Sequence, residues 1–268
     1  MIKADFHTHS EFSVDSRMTL SEMAERAMEL GLEVLCVTDH YELGQCDDLG
    51  AEELFDVPRY FDALREVKER YMGKIDIRFG VELGLVKSSK EELHNFVAAN
   101  NFDFIIGSSH SSNGKKLSNL EFFEGRSEQT AFLECFQSIL ENVKNLDCYS
   151  VYGHLDYVAR YGPTKGRNFR IADYHEVLES ILRIIIGNGH GIEVNTSGFH
   201  YGLGNPHPHK DILALYKELG GEIITVGSDA HTPKRIGADF GRVADLLKSL
   251  GFRYYSTFKD KEPMFHNL

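Results

Sequence analysis

Seven short runs rich in Val, Ile and Phe recur along the chain, at residues 2–6, 34–38, 75–81, 104–107, 150–152, 191–195 and 223–227. Runs of this length and composition read as buried strands. Helix-like stretches lie between them, at residues 58–71, 128–146, 171–188 and 208–219, with one more at 239–250 after the last run. Two further helices open on capping boxes, Thr19-Leu20-Ser21-Glu22 and Ser89-Lys90-Glu91-Glu92, in which a hydroxyl and a Glu three residues on satisfy free amides reciprocally. Gly31, Gly220 and Gly251 stand where helices should stop. Strand followed by helix throughout implies a parallel sheet with right-handed crossovers, open or closed into a barrel. No Pro/Ser/Gly-rich linker or repeat divides the 268 residues, so residues 1–268 are expected to form a single domain. The longer polar segments 41–57, 111–125 and 160–170 each follow the C-terminal end of a strand, where barrel enzymes carry their active-site loops.

Composition narrows the partners. Lys plus Arg number 29 against 41 Asp plus Glu, a formal charge of -12, which opposes a protein that neutralises a nucleic-acid backbone. The first residues hold Lys3 and Asp5 rather than an apolar leader, and the most hydrophobic later stretch, residues 181–186, is short and broken by Arg183. A soluble, cytoplasmic chain without nucleic-acid or membrane partners is expected. Cys36, Cys46, Cys135 and Cys148 show no CxxC spacing and read as reduced thiols. Oligomeric state has no signature in the sequence.

The first strand ends Asp5-Phe6-His7-Thr8-His9, and two His at i and i+2 on extended backbone project to one face. Alone, that pair is either two ligands of one metal or two hydrogen-bonded imidazoles. The second strand, however, ends Thr38-Asp39-His40, the third Gly80-Val81-Glu82, the fourth Ser108-Ser109-His110, the fifth Gly153-His154-Leu155-Asp156 and the seventh Asp229-Ala230-His231. Buried ionisable groups are costly unless paired or coordinated, so their recurrence at the same end of successive strands points to one shared metal site. His94, His175 and His190 lie in or at the end of helical patterns and read as surface or satisfied residues, and His266 lies near a loose terminus. His207-Pro208-His209 opens a helix and reads as loop chemistry rather than chelation. Imidazole and carboxylate without thiolate suit Zn, Fe or Mn. Two or more such ions acidify a bridging water, whose hydroxide would attack a phosphomonoester in line.

The spacing of these motifs resembles the polymerase and histidinol phosphatase (PHP) superfamily, over nearly the whole chain. The segments from Gly153-His154-Leu155-Asp156-Tyr157 through Arg160-Tyr161-Gly162-Pro163, and Glu193-Val194-Asn195-Thr196, are similar to its histidinol-phosphate phosphatase branch. The resemblance implies a distorted seven-stranded (β/α)7 TIM-like barrel holding two to three divalent or trivalent ions. It implies His7, His9, Glu82 and Asp229 on one metal, Asp15, His40 and His231 on a second, and His110 and His154 on a third, with Glu82 bridging. From the sequence alone Asp15 is a loop carboxylate; its place in the family raises it to a ligand. Asp39 could orient a ligand or cap a loop, and Asp156 is a similar candidate beside His154. Arg160 is placed to hold the phosphate, with Asp229 and His231 as further catalytic candidates. Related phosphatases carry a second arginine at or soon after the end of the sixth strand, whereas here none appears before Lys210. Asn195, Ser197 or His200 are left as alternative substrate contacts. The implied activity is hydrolysis of L-histidinol phosphate in histidine biosynthesis. The rivals are cleavage of another small phosphomonoester or nucleotide, and a metal-stabilised module without catalysis.

Overall fold

The computed structural model describes residues 1–44 and 52–268. Seven parallel strands lie side by side in chain order: Ala4–Asp5, Val34–Val37, Asp76–Gly84, Phe104–Ser108, Val151–Tyr152, Gly191–Asn195 and Ile224–Gly227. The first and last approach where Phe6 N–H donates to Val226 O (3.0 Å) and Thr8 bridges Ala230, so the sheet nearly closes into the expected distorted barrel. Strands such as Phe104–Ser108 are buried along their whole length, as parallel strands covered on both faces must be. The third strand runs on to Gly84, which puts Glu82 within it rather than beyond its end.

The helices pack outside this sheet by their apolar stripes. Val57–Arg70 buries Tyr60, Leu64 and Val67, spaced by four and then three residues, and starts at Asp56, whose carboxylate accepts from Arg59 N–H. The capping box at Thr19 forms before Leu20–Glu29. The one expected at Ser89 does not: a 3-10 turn, Lys87–Ser89, runs into the helix Lys90–Ala99, so Ser89 is not extended and its hydroxyl caps nothing.

The C-terminus departs from expectation. Instead of a loose tail, Tyr254–Lys259 and Glu262–Asn267 form an antiparallel hairpin in which His266 Nε2 meets Thr257 Oγ1 at 2.8 Å. Asp260 and Lys261 both take positive φ (51° and 67°), the signature of a tight type I′ turn. The Phe258 ring packs tilted against Phe104 at 5.1 Å, Phe104 meets Phe6 edge to face at 5.0 Å, and Asp103 accepts from Asp260 and Lys261 N–H. The hairpin therefore covers the N-terminal end of the barrel and leaves the opposite mouth open. Cys36, Cys135 and Cys148 are free and buried; Cys46 and part of the segment 41–57 lie outside the described residues. No helix among the described residues is long and apolar enough to cross a membrane.

Candidate metal centre

At the C-terminal mouth, alternation along the first strand does the initial sorting. Thr8 turns away and donates to Cys36 O (2.8 Å), while His7 and His9, both fully buried, face inward with ring centroids 5.0 Å apart. Gly227 permits this crowding: a Cβ there would lie 2.3 Å from His7 Cβ and 2.5 Å from Glu193 Oε1. Asp229, the last strand's contribution, is held at φ 54° with its N–H on His7 O (2.8 Å). A non-glycine residue in that region is sparsely populated and persists where packing over-determines it.

Glu82 is the hub. Its Oε2 lies 2.9 Å from His40 Nδ1, 3.2 Å from His7 Nε2 and 3.6 Å from His9 Nε2. Its Oε1 lies 2.8 Å from His154 Nε2 and 3.4 Å from His110 Nε2. One carboxylate thus faces two groups of imidazoles. Asp229 Oδ1 approaches His9 Nε2 (3.4 Å) and His7 Nε2 (3.8 Å), and Asp15, half exposed, approaches His231 Nε2 (3.1 Å) and His40 Nε2 (3.7 Å).

Behind the cluster, acceptors clamp the far nitrogen of four histidines. His7 Nδ1 meets Glu193 Oε1 (2.6 Å), His9 Nδ1 meets Ser13 Oγ (3.1 Å), His110 Nδ1 meets Glu42 Oε1 (2.7 Å) and His231 Nδ1 meets Asp229 O (3.0 Å). A proton held at Nδ1 leaves the Nε2 lone pair facing the centre, as metal-ligating histidines require.

In the metal-free protein the electrostatics divide the histidines. Burial, with His231 and His40 alongside, pushes His9 down to about 3, and burial also lowers His154, so both are neutral donors of a lone pair. Burial opposes charge on His7, His40 and His110, but the facing carboxylates outweigh it; His110 rises to about 10 through Glu42 and Glu82. Despite burial, His7, His40 and His110 hold Glu82 well below the usual carboxylate range, His7, His9, Arg160 and His231 do the same to Asp229, and His110 with His40 holds Glu42 at about 2. Even so, His7 Nε2, His9 Nε2, His40 Nδ1 and Glu82 Oε2 are buried without a hydrogen-bond partner. Each such group costs about 1–3 kcal/mol. Four converging on one point fit a cation, and the described residues bring together several imidazole and carboxylate sets with ligand atoms within 4.8 Å.

The remaining candidates fall differently. Arg160, buried, donates through Nη2 to Ser197 Oγ (2.6 Å) and Asp229 Oδ2 (3.1 Å) and stacks on Tyr201 at 4.0 Å. Ser197 shares a small cavity with Asp229, His231 and His200. Asn195 has no exposed surface, and its Oδ1 accepts from Ser197 N–H and Oγ; it positions Ser197 beneath the cavity rather than meeting a substrate. His200 is exposed and bonded to Arg235. Asp39 does not touch the His40 ring: it accepts from Ser10 and Ser13, and reaches His9 through Ser13. Asp156 holds His207 Nδ1 (2.6 Å) and His209 N–H (2.8 Å), which accounts for the buried His207. Glu42, Glu193 and Arg235 were not anticipated from the sequence. Glu42 and Glu193 each lie two residues from an anticipated position on extended backbone, and Arg235 lies four residues after His231.

Two cavities flank the cluster. One, of about 240 Å³, runs past His40, Glu42 and His110 to Tyr157 and Tyr161; the other, of about 140 Å³, is the one beside Ser197. A larger cavity of about 720 Å³, between Lys87, Glu134 and Glu141, includes none of the cluster residues.

A nearly closed β/α barrel whose C-terminal mouth gathers histidines and carboxylates around one point is the scaffold of a barrel metalloenzyme. Residues 5–197 match the PHP domain, and the chain belongs to that family. It is 32% identical to the histidinol-phosphatase of Lactococcus lactis, over 96% of this chain and 95% of that one. The solved structure of histidinol phosphate phosphatase from that organism, complexed with Zn, L-histidinol and phosphate, superposes with a TM-score of 0.90 at 31% identity, covering 98% of both chains.

Proposed function

We propose that the chain is a metal-dependent phosphomonoesterase that hydrolyses L-histidinol phosphate to L-histidinol and phosphate. The observation that carries the reading is the placement of a buried guanidinium, Arg160, against Asp229 of the histidine and carboxylate cluster. The reading is supported by likeness over 98% of the chain to a relative solved with Zn, L-histidinol and phosphate. As ligands we assign His7, His9, Asp15, His40, Glu82, His110, His154, Asp229 and His231, holding two to three Zn, Fe or Mn ions, with Glu42 and Glu193 fixing histidines from behind. Bound ions supply positive charge to the phosphoryl oxygens and acidify water at neutral pH. Arg160 would orient the phosphate by charge-assisted hydrogen bonds, and Ser197, bonded to both Arg160 and Asp229, keeps the guanidinium aimed at the cluster. The wall of Tyr157 and Tyr161 bounds the cavity on the other flank and suits an aromatic ring such as the imidazole of histidinol, with Glu42 and Glu53 also lining that cavity. We read the chain as one catalytic domain, because a single sheet takes strands from Ala4 to Gly227 and the C-terminal hairpin packs on it, and we place it in the cytoplasm as a biosynthetic enzyme.

The lack of an arginine between the end of the sixth strand and Lys210 favours a second reading in which another small phosphomonoester is the substrate. Phosphate release by metal-replete protein from L-histidinol phosphate, aminosugar phosphates and mononucleotides separates the two. The highest kcat/KM is expected on L-histidinol phosphate; no turnover of that ester overturns the first reading.

A further inference from the structure

We propose that Arg235 is the second phosphate-binding guanidinium of this site, delivered from the loop after the seventh strand instead of the sixth and oriented by His200. The inference rests on the phosphoesterase reading and deepens it.

The cavity of about 140 Å³ beside Ser197 is lined by Asp229 and His231 of the cluster and, on its far side, by His200 and Arg235. Arg160 reaches the same place from below through Ser197 and Asp229, and its buried Nε has no hydrogen-bond partner. Arg235 thus borders a small cavity at the edge of a metal-type cluster, and Arg160 lies directly behind the Ser197 and Asp229 wall of the same cavity. Their charge balance differs. Arg160 is opposed by Asp229, whereas among the described residues no carboxylate lies within 4.0 Å of Arg235. Arg235 donates through Nη2 to the His200 ring, which burial and the neighbouring Arg235 and Arg160 keep below its ordinary pKa and so neutral. The cavity's two carboxylates are already paired, Asp229 with Arg160 and Asp239 with Arg242 (3.1 Å each), so Arg235, bonded only to a neutral ring, keeps unspent donors and an unneutralised charge. That is the condition for receiving an anion bidentately.

The loop that carries it is anchored at both ends by one buried residue. Asp5 accepts from Ser228 N–H and Oγ (2.9 and 2.5 Å) at the loop's start and from Gly237 N–H (2.9 Å) at its finish. Between these anchors the 3-10 turn Pro233–Arg235 presents Arg235 to the mouth. A guanidinium on so constrained a loop is pre-organised, which favours tight anion binding. On the sixth-strand side the cavity is lined by the short side chains of Thr196 and Ser197, which leave the space that Arg235 borders.

The test is calorimetric binding of inorganic phosphate to metal-loaded wild type, R235A and R235K, with metal content measured in each. R235A is expected to weaken phosphate binding by about tenfold or more, about 1.4 kcal/mol, with metal unchanged. On the substrate ester, KM should rise more than kcat falls, and added guanidinium ion should restore part of kcat/KM. Phosphate binding in R235A within about twofold of wild type overturns the proposal, since an interaction worth less than about 0.4 kcal/mol is no clamp. If R235A loses metal, R235K decides: weaker phosphate binding with full metal supports a bidentate guanidinium, and unchanged binding overturns it. Wild type that binds no phosphate overturns both this proposal and the phosphoesterase reading. Wild type that binds phosphate but does not turn over L-histidinol phosphate overturns the substrate alone.

Discussion

Replacing Glu193 by Gln should weaken metal binding while leaving the fold intact, and the structure gives the reason atom by atom. Glu193 is buried; Oε1 accepts from His7 Nδ1 (2.6 Å) and Oε2 accepts from His154 N–H (2.9 Å). Both of these close partners are donors, as is Asn195 Nδ2, which lies 3.4 and 3.3 Å from the two oxygens. A glutamine has one acceptor and one donor end, so it can satisfy only one of them. With its oxygen on His154 N–H, its amide must donate to His7 Nδ1, which moves the imidazole proton to Nε2, the atom facing Glu82. With the amide reversed, two N–H groups meet at His154. Either arrangement removes a charge-assisted bond worth about 1.5–3 kcal/mol. Losing such a partner behind a ligating histidine costs about 10- to 100-fold in metal affinity, or about 1.4–2.7 kcal/mol. The loss should fall on the ion held by His7 and His9 rather than on every ion. Competition with a chromophoric chelator, together with elemental analysis and a thermal melt, reads this directly. Metal affinity and stoichiometry equal to wild type in E193Q would refute the reasoning.

Other outcomes follow from the same geometry. His7→Ala, His110→Ala and Asp229→Asn should each abolish most activity and at least one metal equivalent; unchanged metal content in all three would sink the cluster. Arg160→Ala should raise KM for the phosphate ester by about 10- to 100-fold with metal retained, the scale of a charge-assisted hydrogen bond, and wild-type kinetics would return Arg160 to a structural role. In chelated protein, despite burial, the facing carboxylates of Glu42 and Glu82 push the His110 pKa up to about 10, from an ordinary 6.5. Its stabilising contribution is therefore complete below about pH 6.5 and lost as pH rises toward about 10. Melting temperatures of the apo protein should fall across that window more steeply than those of the metal-loaded protein, in which the ion replaces the proton. Parallel curves would contradict the assignment.

The barrel was readable because its evidence is local. Val- and Ile-rich runs, helical spacing of apolar residues and the box at Thr19 depend on neighbours in the chain, and the candidate ligands other than Asp15 are marked by their position at or near strand ends. The hairpin at Tyr254–Asn267 was missed because its turn uses Asp260-Lys261 where an Asn-Gly or Asp-Gly pair would have signalled positive φ. The Ser89 box misled because the residues before it continue as a 3-10 turn, which the box pattern does not encode.

The sequence by itself determined that seven strands alternate with helices and that six of their ends carry His, Asp or Glu, and this suffices for a barrel with a metal-type mouth. Only the tertiary structure decided which atoms face which. Glu82 divides its two oxygens between two groups of histidines, Glu193 reaches across from the sixth strand to His7, 186 residues away, and Arg235 comes round from the seventh-strand loop to the space beside Ser197. Side-chain spacing along one strand is a local property of backbone geometry. Distances between strands follow from how the sheet closes, and no run of neighbouring residues contains them.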